Sequence, residues 1–172
     1  TLAYSISLVG LFTISAIYHR IQWQEKARAL MRRLDHAAIF LFIAGTMTPV
    51  FLFTLPTESS TKVISIIWIV AVLGIGQAIF WIGAPKWFAA IIYVGAGWLG
   101  TPFLSQMSGR LGERGIFLLM AGGITYTIGA LVYALKKPNP SPKVFGYHEI
   151  FHLMVAIAAV CHFLLVKDLL QP

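Results

Sequence analysis

Charge is scarce in this sequence. Only 11% of its residues are Asp, Glu, Lys or Arg, and just 6 of them are acids. A soluble domain carries about 25% charged residues. With 58% hydrophobic residues and a mean hydropathy of +0.80, a water-soluble globular domain is excluded. Cysteine is nearly absent: Cys161 stands alone, so no intrachain disulfide can form. No basic n-region followed by a small-residue cleavage site is visible, so no cleavable signal peptide is read. Long polar linkers are missing as well, which predicts a single transmembrane helical domain over residues 1–172. Thr1 already lies inside an apolar run, so the chain reads as a fragment or as trimmed at its N-terminus.

What is present is apolar and long. A helix needs about 20 apolar residues to cross the hydrocarbon of a bilayer. Six spans are expected: Leu2–Tyr18, Leu34–Leu55, Val63–Ile82, Trp87–Leu104, Gly115–Leu135 and Tyr147–Lys167. The fold class is therefore all-α, a polytopic transmembrane helix bundle. Residues 56–60 read as a turn, and Gly83 to Lys86 as a tight one. Ser105 to Arg114 reads as a polar connection. Lys136 to Lys143 holds three prolines and is not helical. Gly95, Gly97, Gly100, Gly122, Gly123 and Gly129 are expected to allow close helix approach. Trp68, Trp81, Trp87 and Trp98 read as belt or packing residues. Pro49 and Pro102 fall within spans and are candidates for kinks.

The net charge of +7 does not point to nucleic acid, because the basic residues sit between apolar runs, where they orient a membrane protein. Arg20, Lys26, Arg28, Arg32, Arg33, Lys86, Lys136, Lys137 and Lys143 fall on one side, and Lys62, Arg110, Arg114 and Lys167 on the other. Nine against four assigns the first side to the cytoplasm. Trp23, Ala27, Leu30, Met31 and Leu34 recur with helical spacing among basic residues. That pattern suits either a short amphipathic helix lying in the interface or a basic loop that sets topology.

Ionisable residues inside spans are costly and usually functional. Here they gather. His148-Glu149-Ile150-Phe151-His152 opens the last span, and on a helix two histidines four apart present imidazoles to one ion. Ser15 and His19 share a face at the end of the first span, and Asp35 opens the second. Alternating topology brings Ser15, His19, Asp35, His148 and His152 to one membrane depth, at the cytoplasmic end. Three histidines plus water is a recognised zinc arrangement. Asp35 either ligates the ion or holds its water, with Ser15 in support. Glu149 occupies the general-base position of soluble zinc proteases but is rotated about 100° from His148, so a base and a partner of the basic loops both stay open. His36 is similarly rotated from Asp35 and reads as a neighbour. His162 lies on another face and is left out of the set.

The segments Ser15-Ala16-Ile17-Tyr18-His19, Arg33-Leu34-Asp35-His36 and His148-Glu149-Ile150-Phe151-His152 resemble motifs of the haemolysin III proteins, the bacterial branch of the progesterone and adipoQ receptor family. The resemblance covers essentially the whole chain. It implies a seven-helix bundle, against six spans visible here, with a zinc ion near the cytoplasmic face of the cell membrane. It also implies that His19, His148 and His152 are the ligands, that Asp35 holds the zinc-bound water and that Ser15 belongs to the same polar cluster. Eukaryotic members are hormone-responsive receptors linked to ceramidase activity, and bacterial members are linked to membrane lipid homeostasis.

Three functions are then in view. The leading one is a Zn2+-dependent hydrolase acting on a lipid amide or ester, with membrane lipid as its partner. The second is a receptor-like sensor of membrane state in which zinc is structural. The third is a pore or transporter. Against it, the charged residues form one cluster at one end rather than a path across the membrane.

Overall fold

A computed structural model describes residues 2–81, 83–142 and 144–171. Ile82, the expected end of the third span, and Lys143, in the last basic connection, lie outside the described residues. Six α-helices carry the structure: α1 (Leu2–Arg20), α2 (Glu25–Thr54), α3 (Thr57–Phe80), α4 (Lys86–Gly97), α5 (Leu104–Leu135) and α6 (Tyr147–Leu170). Among the described residues there is no strand, only one isolated bridge between Ser141 and Phe145. Hydrocarbon offers backbone groups no hydrogen-bond partner, so apolar runs of this length close their bonds within helices. The chain divides into two compact units, Thr1–Ala84 and Pro85–Pro172.

In the first unit α2 is the central helix, packed on both α1 and α3. It buries Phe40, Phe42, Ala44, Val50 and Phe51. The outer helices bury only stripes. Tyr4, Ser7 and Leu11 line one side of α1, and Ser60, Val63, Ile67, Ala71, Gly74 and Ala78 one side of α3. Steps of three and four residues keep each stripe on one face. The opposite faces expose Leu2, Ile6 and Val9, and Ile69, Val72 and Leu73, an apolar exterior suited to lipid tails rather than water.

Two boundaries in this unit differ from expectation. The basic stretch before Leu34 is neither an interfacial helix nor a loop, because α2 runs unbroken from Glu25. Glu, Lys, Ala, Arg, Leu and Met are strong helix formers, and no Gly or Pro interrupts them before Gly45. The turn expected over residues 56–60 shrinks to Leu55 and Pro56. Thr57 already begins α3, and Glu58 pairs with Lys62 one turn on at 2.6 Å.

In the second unit α5 is central, packed on α4 and α6. Five stretches among the described residues are long and apolar enough to cross a membrane, one of them Lys86–Leu135, of 50 residues. A straight helix of that length would measure about 75 Å, far beyond a hydrocarbon core of about 30 Å. This stretch doubles back. Trp98 Nε1, just past α4, donates to Thr127 Oγ1 at 2.9 Å, although Thr127 is 29 residues on. At the other end, Lys86 lies over the Tyr133 ring. The fourth and fifth expected runs therefore lie side by side. The polar connection expected over 105–114 is mostly helical, and the helix is broken within it by Gly112, at φ 61° and ψ −179°. That region is open essentially to glycine alone. Pro102 stands in a short 3-10 turn, Thr101–Phe103, rather than within a span.

The glycines divide between two behaviours. A Cβ on Gly122 would overlap the His162 ring, so α6 approaches α5 closely there, whereas Gly95 and Gly97 face open space. Close approach is thus a property of Gly115, Gly122 and Gly129 on α5 and not of the α4 glycines.

Gly112→Ala is expected to destabilise the protein by more than about 1 kcal/mol, because alanine is strained where φ is positive. Gly95→Ala in α4 should be neutral or slightly stabilising. Melting temperatures in detergent check the pair, and equal behaviour of the two would count against the break at Gly112.

Candidate metal centre

The second unit contributes two imidazoles. His148 and His152 stand one turn apart on α6, with their Nε2 atoms 3.2 Å apart and their rings nearly perpendicular, at 85°. Two nitrogens each 2.0–2.1 Å from a tetrahedral zinc would stand about 3.3 Å apart. The observed spacing is also that of an imidazole pair sharing one proton, so the two rings are arranged to hold a proton or an ion between them. The nitrogen spacing of the pair matches that of two ligands of one tetrahedral zinc ion.

The start of α6 explains how His148 is held. Its cap residue is Gly146, which has no side chain to offer. Asn139, from the proline-rich connection, supplies Oδ1 to the Tyr147 N–H at 3.2 Å, and Glu149 Oε2 accepts the Gly146 N–H at 2.8 Å. Free amides at a helix start need such acceptors. Glu149 is therefore engaged in half of a capping box, the role its position three residues after Gly146 could have signalled. Of the two readings left open for Glu149, the structure favours neither base nor partner of the basic loops, but the helix cap. Around His148 stand the rings of Tyr133, Tyr147 and Phe151, at centroid distances of 6.1, 6.3 and 6.4 Å. Lys86 Nζ donates to the Tyr147 hydroxyl at 3.1 Å. Asn139, Lys86 and Tyr133 were not singled out from sequence. Each is distant from His148 along the chain, and no local spacing ties it there.

The first unit holds Ser15, His19 and Asp35. Ser15 is half-buried, and His19 is exposed with its ring 4.6 Å from that of Tyr18. Asp35 is buried, an unusual state for a carboxylate. The packing register of α1 on α2 sets their levels. Gly45 of α2 lies against Ser7 of α1. From that contact Asp35 is ten residues back along α2, about 15 Å, while Ser15 and His19 are eight and twelve residues on along α1, about 12 and 18 Å. In an antiparallel hairpin Asp35 thus falls at a level between Ser15 and His19. His36 Nδ1 lies 2.9 Å from Arg32 O and 3.9 Å from Asp35 Oδ2, as befits a neighbour of the cluster. His162, left out of the set, is buried between α6 and α5, with Nε2 at 3.4 Å from Leu119 O.

A model of the haemolysin-III-related family matches residues 1–163. The chain belongs to that family. Hemolysin-3 of Bacillus cereus is 33% identical over 169 residues, covering 98% of this chain and 74% of that protein. The Hemolysin-3 homolog of Bacillus subtilis is 30% identical over 152 residues, 88% of this chain and 68% of the relative. A more distant relative, the human monocyte to macrophage differentiation factor, is 23% identical over 164 residues, 93% of this chain and 66% of its own. The membership agrees with the resemblance carried by the three motifs, including its extension to the progesterone and adipoQ receptor relatives. With its apolar helices, it makes this haemolysin-III-related chain a multi-pass membrane protein.

Removing the cap from α6 should be measurable. Asn139→Ala is expected to cost about 0.5–1 kcal/mol, in the range of a lost helix cap, and to speed hydrogen exchange at the Tyr147 amide. An unchanged exchange rate there would exclude the Asn139 contact.

Proposed function

We propose that the protein is a zinc-dependent membrane hydrolase that cleaves an amide or ester bond of a membrane lipid. The observation that carries this reading is the 3.2 Å spacing of the His148 and His152 nitrogens, which suits two ligands of one tetrahedral ion. We assign the third nitrogen to His19, so that three histidines each offer one ring nitrogen. Bound zinc supplies Lewis acidity for attack of water on an acyl carbon at neutral pH.

The remaining work falls to the chain's own residues. The Asp35 carboxylate orients the attacking water and accepts its proton, as a general base must. Its burial favours that role, since a carboxylate removed from bulk water is kept for a specific partner. We assign the Ser15 hydroxyl a supporting role, as hydrogen-bond partner of either that carboxylate or the water. The three histidines and Asp35 fall at the ends of helices on the strongly basic side, which we assign to the cytoplasm, so the acyl carbonyl of a lipid meets water at the membrane boundary. The ceramidase activity linked to receptors in the wider family agrees with an amide substrate.

A second reading, zinc as a structural tie in a sensor of membrane state, is favoured by the aromatic rings packed around His148. Asp35 separates the two. In the hydrolase Asp35→Asn keeps most of the metal and loses nearly all turnover of lipid amides. In the structural reading turnover is absent, and if Asp35 is a ligand its loss strips zinc and lowers the melting temperature together.

One zinc per chain is expected in the purified protein by elemental analysis, with most of it lost in His148→Ala and His152→Ala. Metal content unchanged in both variants would falsify the site. For orientation, single cysteines placed between Lys26 and Arg33 should resist an impermeant thiol reagent added outside intact cells. Ready labelling there would reverse the topology.

A further inference from the structure

We propose that Lys86 is a positioning residue for His148, acting through the rings of Tyr133 and Tyr147. The inference rests on the zinc reading above.

Lys86 is the first residue of α4. A cation there is opposed by the positive end of the helix dipole, so its location calls for another partner. Lys86 is half-buried, with its ammonium 4.2 Å from the centroid of the Tyr133 ring and 4.9 Å from that of Tyr147. It also donates to the Tyr147 hydroxyl at 3.1 Å. Lysines near a membrane surface usually extend their ammonium into water. This one is turned onto two aromatic rings, a cation–π arrangement with a hydrogen bond added.

Tyr133 is the common neighbour. Its ring stands 6.4 Å from Tyr147, 6.1 Å from His148 and 5.0 Å from Phe151. Lys86 thereby ties the start of α4 to the end of α5 and to the first residue of α6, next to His148. An imidazole ligand must be held in one orientation to present its nitrogen, and the groups around it do that holding. Without the ammonium, Tyr133 and Tyr147 lose their shared anchor, and the His148 ring loses the wall that keeps its Nε2 toward His152.

Electrostatics makes the inference testable by sign. A fixed positive charge near a dication weakens binding, so charge alone predicts that neutralising Lys86 tightens zinc. Positioning predicts the reverse.

The experiment measures zinc affinity by chelator competition, and melting temperature of the metal-free form, on the full chain in detergent. It compares wild type, Lys86→Met, Lys86→Arg, Tyr147→Phe and His152→Ala. Lys86→Met is expected to weaken zinc about 10–100-fold, the range for groups that orient a ligand. Lys86→Arg should recover most of that loss, because a guanidinium stacks on the rings and still donates. Lys86→Met that binds zinc as tightly as wild type, or more tightly, overturns the proposal even if its melting temperature falls, since that is the mark of a merely structural lysine. If Lys86→Met does not fold, Tyr147→Phe decides the matter. It keeps both rings and removes only the hydroxyl, so weaker zinc binding supports the proposal and unchanged affinity overturns it. Zinc affinity unaffected by His152→Ala would instead overturn the metal site itself, a separate outcome.

Discussion

A polar group placed in hydrocarbon must find its partner within the protein. That constraint governs the backbone, which is helical almost throughout, and it is met by four threonine hydroxyls as well. Thr48 donates to Ala44 O, Thr54 to Val50 O, Thr125 to Ala121 O and Thr127 to Gly123 O, each one turn back along its own helix. Two of these hydroxyls then accept from indoles, Thr48 from Trp68 and Thr127 from Trp98. The hydroxyls thus satisfy themselves locally and still join neighbouring helices within each unit.

With hydrogen bonds closed locally, packing decides which helix lies inside. In lipid there is little hydrophobic drive between helices, so contact depends on shape. α2 carries Ala37, Ala38, Ala44 and Gly45 among large aromatics, and α5 carries Gly115, Gly122 and Gly129 along one buried stripe. Those small residues admit neighbours closely, and each of these helices is the centre of its unit. The outer helices keep Ile, Leu, Val and Phe on their exposed faces, where lipid is the solvent.

The motif histidines and Asp35 were legible because a membrane makes ionisable residues conspicuous. His148 and His152 at four-residue spacing required only a helix to be neighbours, and α6 provides it. The levels of Ser15, His19 and Asp35 along the hairpin of α1 and α2 follow from the packing contact at Gly45 and Ser7. Boundaries were less legible. Basic and polar residues at membrane edges read as connections, yet Glu25 to Arg33 and Thr57 to Lys62 continue their helices, because helix propensity does not end where hydrocarbon ends.

Composition and periodicity alone determined that this chain is all-α and crosses a membrane, since scarce charge and long apolar runs leave no other means of satisfying the backbone. Spacing alone determined that His148 and His152 face the same way. Tertiary structure decided what surrounds them. Asn139 reaches Tyr147 across eight residues, and Lys86 reaches it across 61. It also decided that the helix breaks at Gly112 rather than at Gly109 or Gly115. Such contacts depend on where a connection folds and how two helices lie side by side. Sequence spacing carries no record of that, because local periodicity describes one helix at a time.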